Sequence, residues 1–223
     1  MRKEKLPLHQ SILADILRYF FYLLYNRFAF LYDFVAYMVS FGMWNEWVLS
    51  IKPFITKNKI LELGHGTGIL SASLTTDGKD ITGLDLSSQM SKLSKSRFTK
   101  NGLDYKLLTA AAENLPIRSC TFDQVVSTFP SEYIIDTRTL SEISRILVDD
   151  GEMVLLPYAW IRGKEWYQRL SAWLFRITGQ ASEWSSEFDQ PLILMGFEVK
   201  AQRILFERSE LPLFIAKKIE NSA

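Results

Sequence analysis

The stretch Ile60-Leu61-Glu62-Leu63-Gly64-His65-Gly66-Thr67-Gly68-Ile69-Leu70 constrains this chain more than any other. A short apolar run ends at three glycines spaced two apart, and apolar residues resume at Ile69 and Leu70. The pattern reads as a strand, a tight turn and a helix start. Glycine is required because the backbone turns sharply there and leaves room for a ligand to approach. The first helical turn adds N–H groups without intrahelical partners, which attract polar or anionic ligand groups. About twenty residues later a second strand, Asp80 to Asp85, ends in a carboxylate. At that place in a strand–helix–strand unit a carboxylate can accept from both hydroxyls of a ribose. The glycine spacing is not the G-x-G-x-x-G dinucleotide fingerprint, and an acid, Glu62, stands inside the first strand.

An acid two residues before three alternating glycines, followed by an acid ending the second strand, resembles the class I S-adenosylmethionine (SAM)-dependent methyltransferases. Further pieces stand in family order: Ala112-Glu113-Asn114-Leu115-Pro116, then Thr121 to Ser127, then Leu140 to Leu147, then Asp150-Gly151-Glu152 leading into Met153 to Leu156. Gly196-Phe197-Glu198-Val199 resembles the entry to the family's sixth strand. The resemblance implies an α/β, Rossmann-like fold: a mostly parallel seven-stranded sheet, helices on both faces and an N-terminal helical lid. It also implies SAM as cofactor, leaving as S-adenosylhomocysteine. By the same resemblance Glu62, Gly64, His65, Gly66 and Gly68 surround the cofactor at the glycine turn. Asp85, Leu86 and Met90 follow at the second strand, Ala112 and Glu113 lie near the adenine, and Thr128 ends the fourth strand. The sequence departs from its relatives at Ala111, where they commonly carry an aspartate for the adenine amine. Ala112 backbone groups and Glu113 are left for that role.

The front of the chain is rich in rings. From Ser11, a plausible N-cap, the chain turns apolar through Tyr19 to Tyr25, but Asp15, Arg18, Arg27 and Asp33 interrupt the run. It falls short of the ~20 apolar residues a membrane span needs, and no secretory cleavage site follows. Two readings remain open for residues 11–30: helices packed over the catalytic domain, or an aromatic helix resting on a bilayer with Arg2, Lys3, Lys5, Arg18 and Arg27 near headgroups. The following piece, Tyr32-Asp33 through Ser40-Phe41-Gly42 to Trp44, resembles the N-terminal region of the ubiquinone/menaquinone biosynthesis methyltransferases. That resemblance implies Tyr32 near cofactor or substrate. The expected organisation is an N-terminal aromatic segment over 1–50 and a methyltransferase domain over 51–223.

Formal net charge is +1, so no bulk field draws nucleic acid. The fourth-strand loop, Phe129-Pro130, lacks the polar residue that marks amine methylases of DNA and glutamine. One cysteine, Cys120, and two distant histidines, His9 and His65, offer no metal cluster, and no metal is expected. The expected setting is cytoplasmic, with or without peripheral contact to a membrane. Methyl transfer needs an oriented acceptor and often a lost proton. Tyr32, Glu132 and Tyr133 are the catalytic candidates, with Asp33 and His65 behind them; Tyr32, Phe129 and Tyr133 are candidates for substrate contact. Rings between Tyr158 and Gln190 can line an acceptor pocket or fill the core. The expected reaction is methylation of a lipophilic small molecule, a quinol precursor or similar lipid. A phospholipid headgroup, a natural product, or a SAM-fold binding or assembly protein without catalysis are the alternatives. Oligomeric state is not legible.

Overall fold

A computed structural model describes residues 31–161 and 189–219 of the 223-residue chain. The segment 11–30, with its two open readings, and most of the ring-rich stretch after Tyr158 lie outside the described residues.

Strand β1 (Lys59–Leu63) pairs in parallel with β2 (Asp80–Asp85) on one side and β4 (Phe122–Thr128) on the other. β3 (Leu107–Thr109) continues in parallel beyond β2, and β5 (Leu147–Leu156) beyond β4. β8 (Ser209–Lys218) runs antiparallel to β5 and to β7 (Phe197–Leu205), with which it forms a hairpin. The order is β3-β2-β1-β4-β5-β8-β6, with β7 on the second edge of β8. This is the mostly parallel, Rossmann-like sheet that was expected, but among the described residues it has eight strands where seven were expected. The extra one, β6 (Trp160–Ile161), is two residues long and prolongs the β5 edge of β8. Two residues carry no alternation for a sequence reading to detect.

β1 is exposed only at Lys59, as a strand covered on both faces is, and Ile60, Leu61 and Leu63 are apolar around the buried Glu62. Side chains then alternate between two core clusters. Leu61, Val125, Met153 and Phe214 enter one, while Ile60, Val126, Val154 and Leu213 enter the other. The first face is covered by α5 (Thr137–Ile146), which buries Leu140, Ile143 and Ile146 on one stripe, and by Leu192 of α6 (Asp189–Leu194). The second is covered by α2 (Trp44–Leu49) and α3 (Ile69–Thr76). α1 (Tyr32–Val39) precedes α2, and α4 (Ser88–Lys100) follows β2 behind an N-cap in which Met90 N–H donates to Ser87 Oγ.

Packing runs straight across the expected division at residue 50. Trp47 and Val48 share one cluster with Ile51, Ile60, Leu70 and Leu211. Trp47 is fully buried, and its Nε1 donates to Ser209 Oγ at 2.9 Å, fastening α2 to the start of β8. Pro212 lies inside β8, which starts at Ser209. Pro212 is accommodated because it falls between the segment paired with β6 (Ser209, Glu210) and that paired with β5 (Phe214 to Lys217).

Trp47→Ala is expected to cost about 3–5 kcal/mol of unfolding free energy in urea titrations, and Trp47→Phe about 1–3 kcal/mol, since Ser209 would lose its buried donor. A change of a few tenths for either would contradict this packing.

Candidate functional site

The chain order reverses at β1, whose neighbours are β2 and β4, and a cleft of about 420 Å3 opens at the carboxyl ends of these strands. The glycine turn is built as its sequence demands. Gly64, Gly66 and Gly68 take φ of 73°, 52° and 77°, in the left-handed region that side chains disfavour. A Cβ on Gly64 would sit 2.6 Å from Tyr133 Oη, whereas one on Gly66 would meet nothing within 4 Å. Gly66 therefore faces open space. Gly68 caps α3, and a Cβ there would collide with Ser94.

Asp85 ends β2 and bridges both crossovers. Its Oδ2 accepts from Gly66 N–H at 2.9 Å, and its Oδ1 accepts from Ser87 N–H at 2.8 Å. Each oxygen keeps a further lone pair for a ligand donor. Leu86, beside it, is 73% exposed and lines the cleft, an unusual place for a large apolar side chain unless something flat covers it. Ala110, Ala111, Ala112 and Glu113 form the neighbouring wall. The loop beyond them is clamped by α5. Leu115 N–H donates to Glu142 Oε2 at 2.7 Å, and Arg145 donates to the carbonyls of Ile117 at 2.8 Å and Leu115 at 3.2 Å. The Arg145 guanidinium also holds Glu142 below the usual carboxylate range.

The other half of the cleft is lined by Tyr32, Thr128, Phe129, Pro130, Ser131 and Tyr133. Phe129 has φ of 50°, a strained setting for a ring-bearing residue, and its N–H donates to Leu156 O at 2.7 Å. Its ring lies 4.6 Å from Trp44 and 6.2 Å from Trp47, and Trp44 meets Tyr32 edge-on at 6.1 Å. A ladder of rings thus carries the position of Phe129 to α1.

Seven of the cofactor residues named from the sequence line the cleft: Gly64, Gly66, Asp85, Leu86, Ala112, Glu113 and Thr128. Tyr32, Phe129 and Tyr133 line it too. Glu62, His65, Gly68, Met90 and Glu132 are not in the lining. Met90 is fully buried in helix packing, and Glu132 is exposed at the start of the 3-10 turn Glu132–Ile135. Glu62 lies behind the loop, where Ser71 Oγ donates to its Oε2, and burial pushes its pKa up to about 8. His65 is also turned inward: its Nδ1–H donates to Gly66 O at 2.9 Å, and burial lowers its pKa, leaving the ring neutral. Gly83 makes room for that ring, since a Cβ there would lie 2.9 Å from His65 Cδ2. A glycine inside β2 was the available signal. Arg97 was missed altogether; it sits on a polar helix where nothing in the spacing distinguishes it.

Residues 61–155, from β1 through β5, match the methyltransferase domain family. The chain is 32% identical over 139 residues to a demethylmenaquinone methyltransferase of Thermotoga maritima, covering 60% of this chain and 59% of that one. It is 26% identical over 137 residues to a ubiquinone/menaquinone biosynthesis C-methyltransferase of Geotalea daltonii, covering 57% and 58%. The family match covers under half of this chain, and the fold is the one that class I methyltransferases have. The chain spans under two thirds of the length of those two relatives. The fold is also that of a SAM-dependent methyltransferase from Aquifex aeolicus, with a TM-score of 0.59 at 16% identity, covering 78% of this chain and 90% of that one. In this chain the residues behind the glycine loop support it, and those in front line the cleft.

The Glu62 carboxyl gives a pH signature. The unfolded chain releases its proton near pH 4.5 and the folded protein near pH 8. Its contribution to stability is therefore fully present below pH 4.5 and declines as pH rises to 8, by on the order of 1 kcal/mol per pH unit. Denaturation of wild type and Glu62→Gln at pH 5 and pH 8 is expected to show a downward slope that the variant flattens. Equal slopes would contradict the assignment.

Proposed function

We propose that this chain transfers a methyl group from SAM to an uncharged, lipophilic small molecule, with a quinol precursor as the preferred acceptor class. The observation that carries the reading is a cleft with two chemically different halves. One half offers the Asp85 carboxylate, the bare Gly66 backbone and the exposed Leu86. The other offers rings and hydroxyls, with no lysine, arginine, histidine or carboxylate among its described lining residues.

The first half fits SAM. Asp85 would accept from the ribose hydroxyls, and Leu86 with Ala110 to Ala112 would pack along the adenine. Glu113 would take the adenine amine in place of the aspartate absent at Ala111, and Gly64 and Gly66 would admit the methionine portion. When bound, SAM supplies an electrophilic methyl group on a sulfonium. The protein's own part is to orient the acceptor and keep water out. Tyr32 and Tyr133 carry the hydroxyls best placed to take or relay an acceptor proton. Tyr133 is the stronger candidate, since its Oη packs against the Cα side of Gly64.

The names of the Thermotoga and Geotalea relatives support a quinone-pathway acceptor. An ammonium headgroup would find no counter-charge in the acceptor half, which disfavours phospholipid N-methylation. A lipophilic acceptor also fits a peripheral membrane site. Among the described residues no helix is long and apolar enough to cross a membrane, but Phe34, Tyr37 and Met38 of α1 are exposed. No group of residues suited to a metal ion occurs among the described residues.

Incubation with methyl-labelled SAM and a quinol-containing lipid extract is expected to put label into the organic phase. Tyr133→Phe is expected to lower turnover by about 10–100-fold while leaving SAM binding within a few-fold. Label entering water-soluble amines instead, or no transfer at all, would overturn the reading.

A further inference from the structure

Three segments that line the cleft meet behind it: α1 through Tyr32, the glycine loop through Gly64 and Gly66, and the start of α4 through Asp85 to Ser87. Asp85 ties the second to the third. A link from the first to both others is made one layer behind, by Arg97 on the third turn of α4.

Arg97 Nε donates to Thr67 O at 2.8 Å, and its Nη2 donates to Asp33 Oδ2 at 2.9 Å. Thr67 Oγ1 donates to Asp33 Oδ1 at 2.8 Å. Both oxygens of Asp33 are thereby engaged, one by the glycine loop and one by α4, and the guanidinium fork spans both partners at once. Asp33 directly follows Tyr32, so fixing it fixes the first turn of α1. Thr67 stands between Gly66 and Gly68 and is 4% exposed, so its carbonyl and hydroxyl report the loop's conformation. The side chains of Arg97 and Asp33 are 32% and 52% exposed. Their charge attraction alone is therefore worth little. What the cluster supplies is geometry: hydrogen bonds that are satisfied together in one mutual arrangement of three segments.

We propose that Arg97 is a positioning residue which, through Asp33 and Thr67, sets Tyr32 and the glycine loop at the cofactor-binding spacing. It touches neither cofactor nor acceptor. This rests on the reading of the cleft as a SAM site, and it separates into a part that needs the cofactor and a part that does not.

The cofactor-free part is read by hydrogen exchange on the full chain. Asp33→Asn, a change on α1, is expected to speed exchange at residues 64–68 as well as 32–39, while β4 and β5 keep their protection. Unchanged exchange at 64–68 would overturn the link between helix and loop, whatever SAM does. The cofactor-dependent part is a double-mutant cycle in SAM affinity by calorimetry. Tyr32→Ala is expected to weaken binding about tenfold in the wild-type background and by about twofold or less beside Arg97→Ala. Arg97→Lys, which keeps the charge without the fork, is expected to restore only part of the loss. Additive effects of Tyr32→Ala and Arg97→Ala would show that Arg97 supports the fold without positioning Tyr32. Should Arg97→Ala prove too unstable to measure, the same cycle with Asp33→Asn decides the question. Absence of SAM binding in the wild type would sink the functional reading and leave the exchange result to judge the link.

Discussion

A single carboxylate, that of Asp85, holds together the two crossovers from which the site is made. By accepting from Gly66 N–H and Ser87 N–H it ends β2, shapes the glycine turn and starts the approach to α4. Those N–H groups would otherwise stand unpaired beside a cleft, at a cost comparable to any buried polar orphan. The same group that completes the fold keeps lone pairs aimed at a ligand. On the proposed reading, folding and cofactor recognition draw on this one residue.

What stands behind the loop explains why it stays in place. Glu62 takes Ser71 Oγ, neutral His65 holds the Gly66 carbonyl, and Gly83 leaves space for its ring. Beside the wall formed by Ala110 to Glu113, Arg145 and Glu142 pin the loop that follows Glu113. In each case a polar side chain is used to hold backbone, so the surfaces facing the cleft are left to small residues, one exposed leucine and rings. The cleft is preorganised by groups that do not line it.

Much of this was legible in the sequence, for identifiable reasons. Glycines in left-handed conformations, an acid ending a strand and unbroken apolar runs follow from backbone sterics and burial, which are local. The parallel sheet and the cleft at its carboxyl end followed from them. Side-chain direction inside the glycine turn did not: nothing local says that His65 turns inward, because its place depends on Gly83 in another strand. Met90 and Glu132 lie outside the cleft lining for a similar reason, since a helix or turn residue near a site can face either way. Arg97 was invisible because its partners, Asp33 and Thr67, are brought to it only by the tertiary fold. The two-residue β6 is too short for any periodicity, and the expected division at residue 50 missed that Trp47 is core.

The central claim is that Asp85 makes this cleft a SAM site. Calorimetric titration of SAM into the wild type and Asp85→Ala tests it most directly, with melting temperatures recorded alongside to confirm that both are folded. The account expects saturable one-to-one binding by the wild type and none detectable in the folded variant. Equal binding by the two would contradict it, and so would a folded wild type that takes up no SAM.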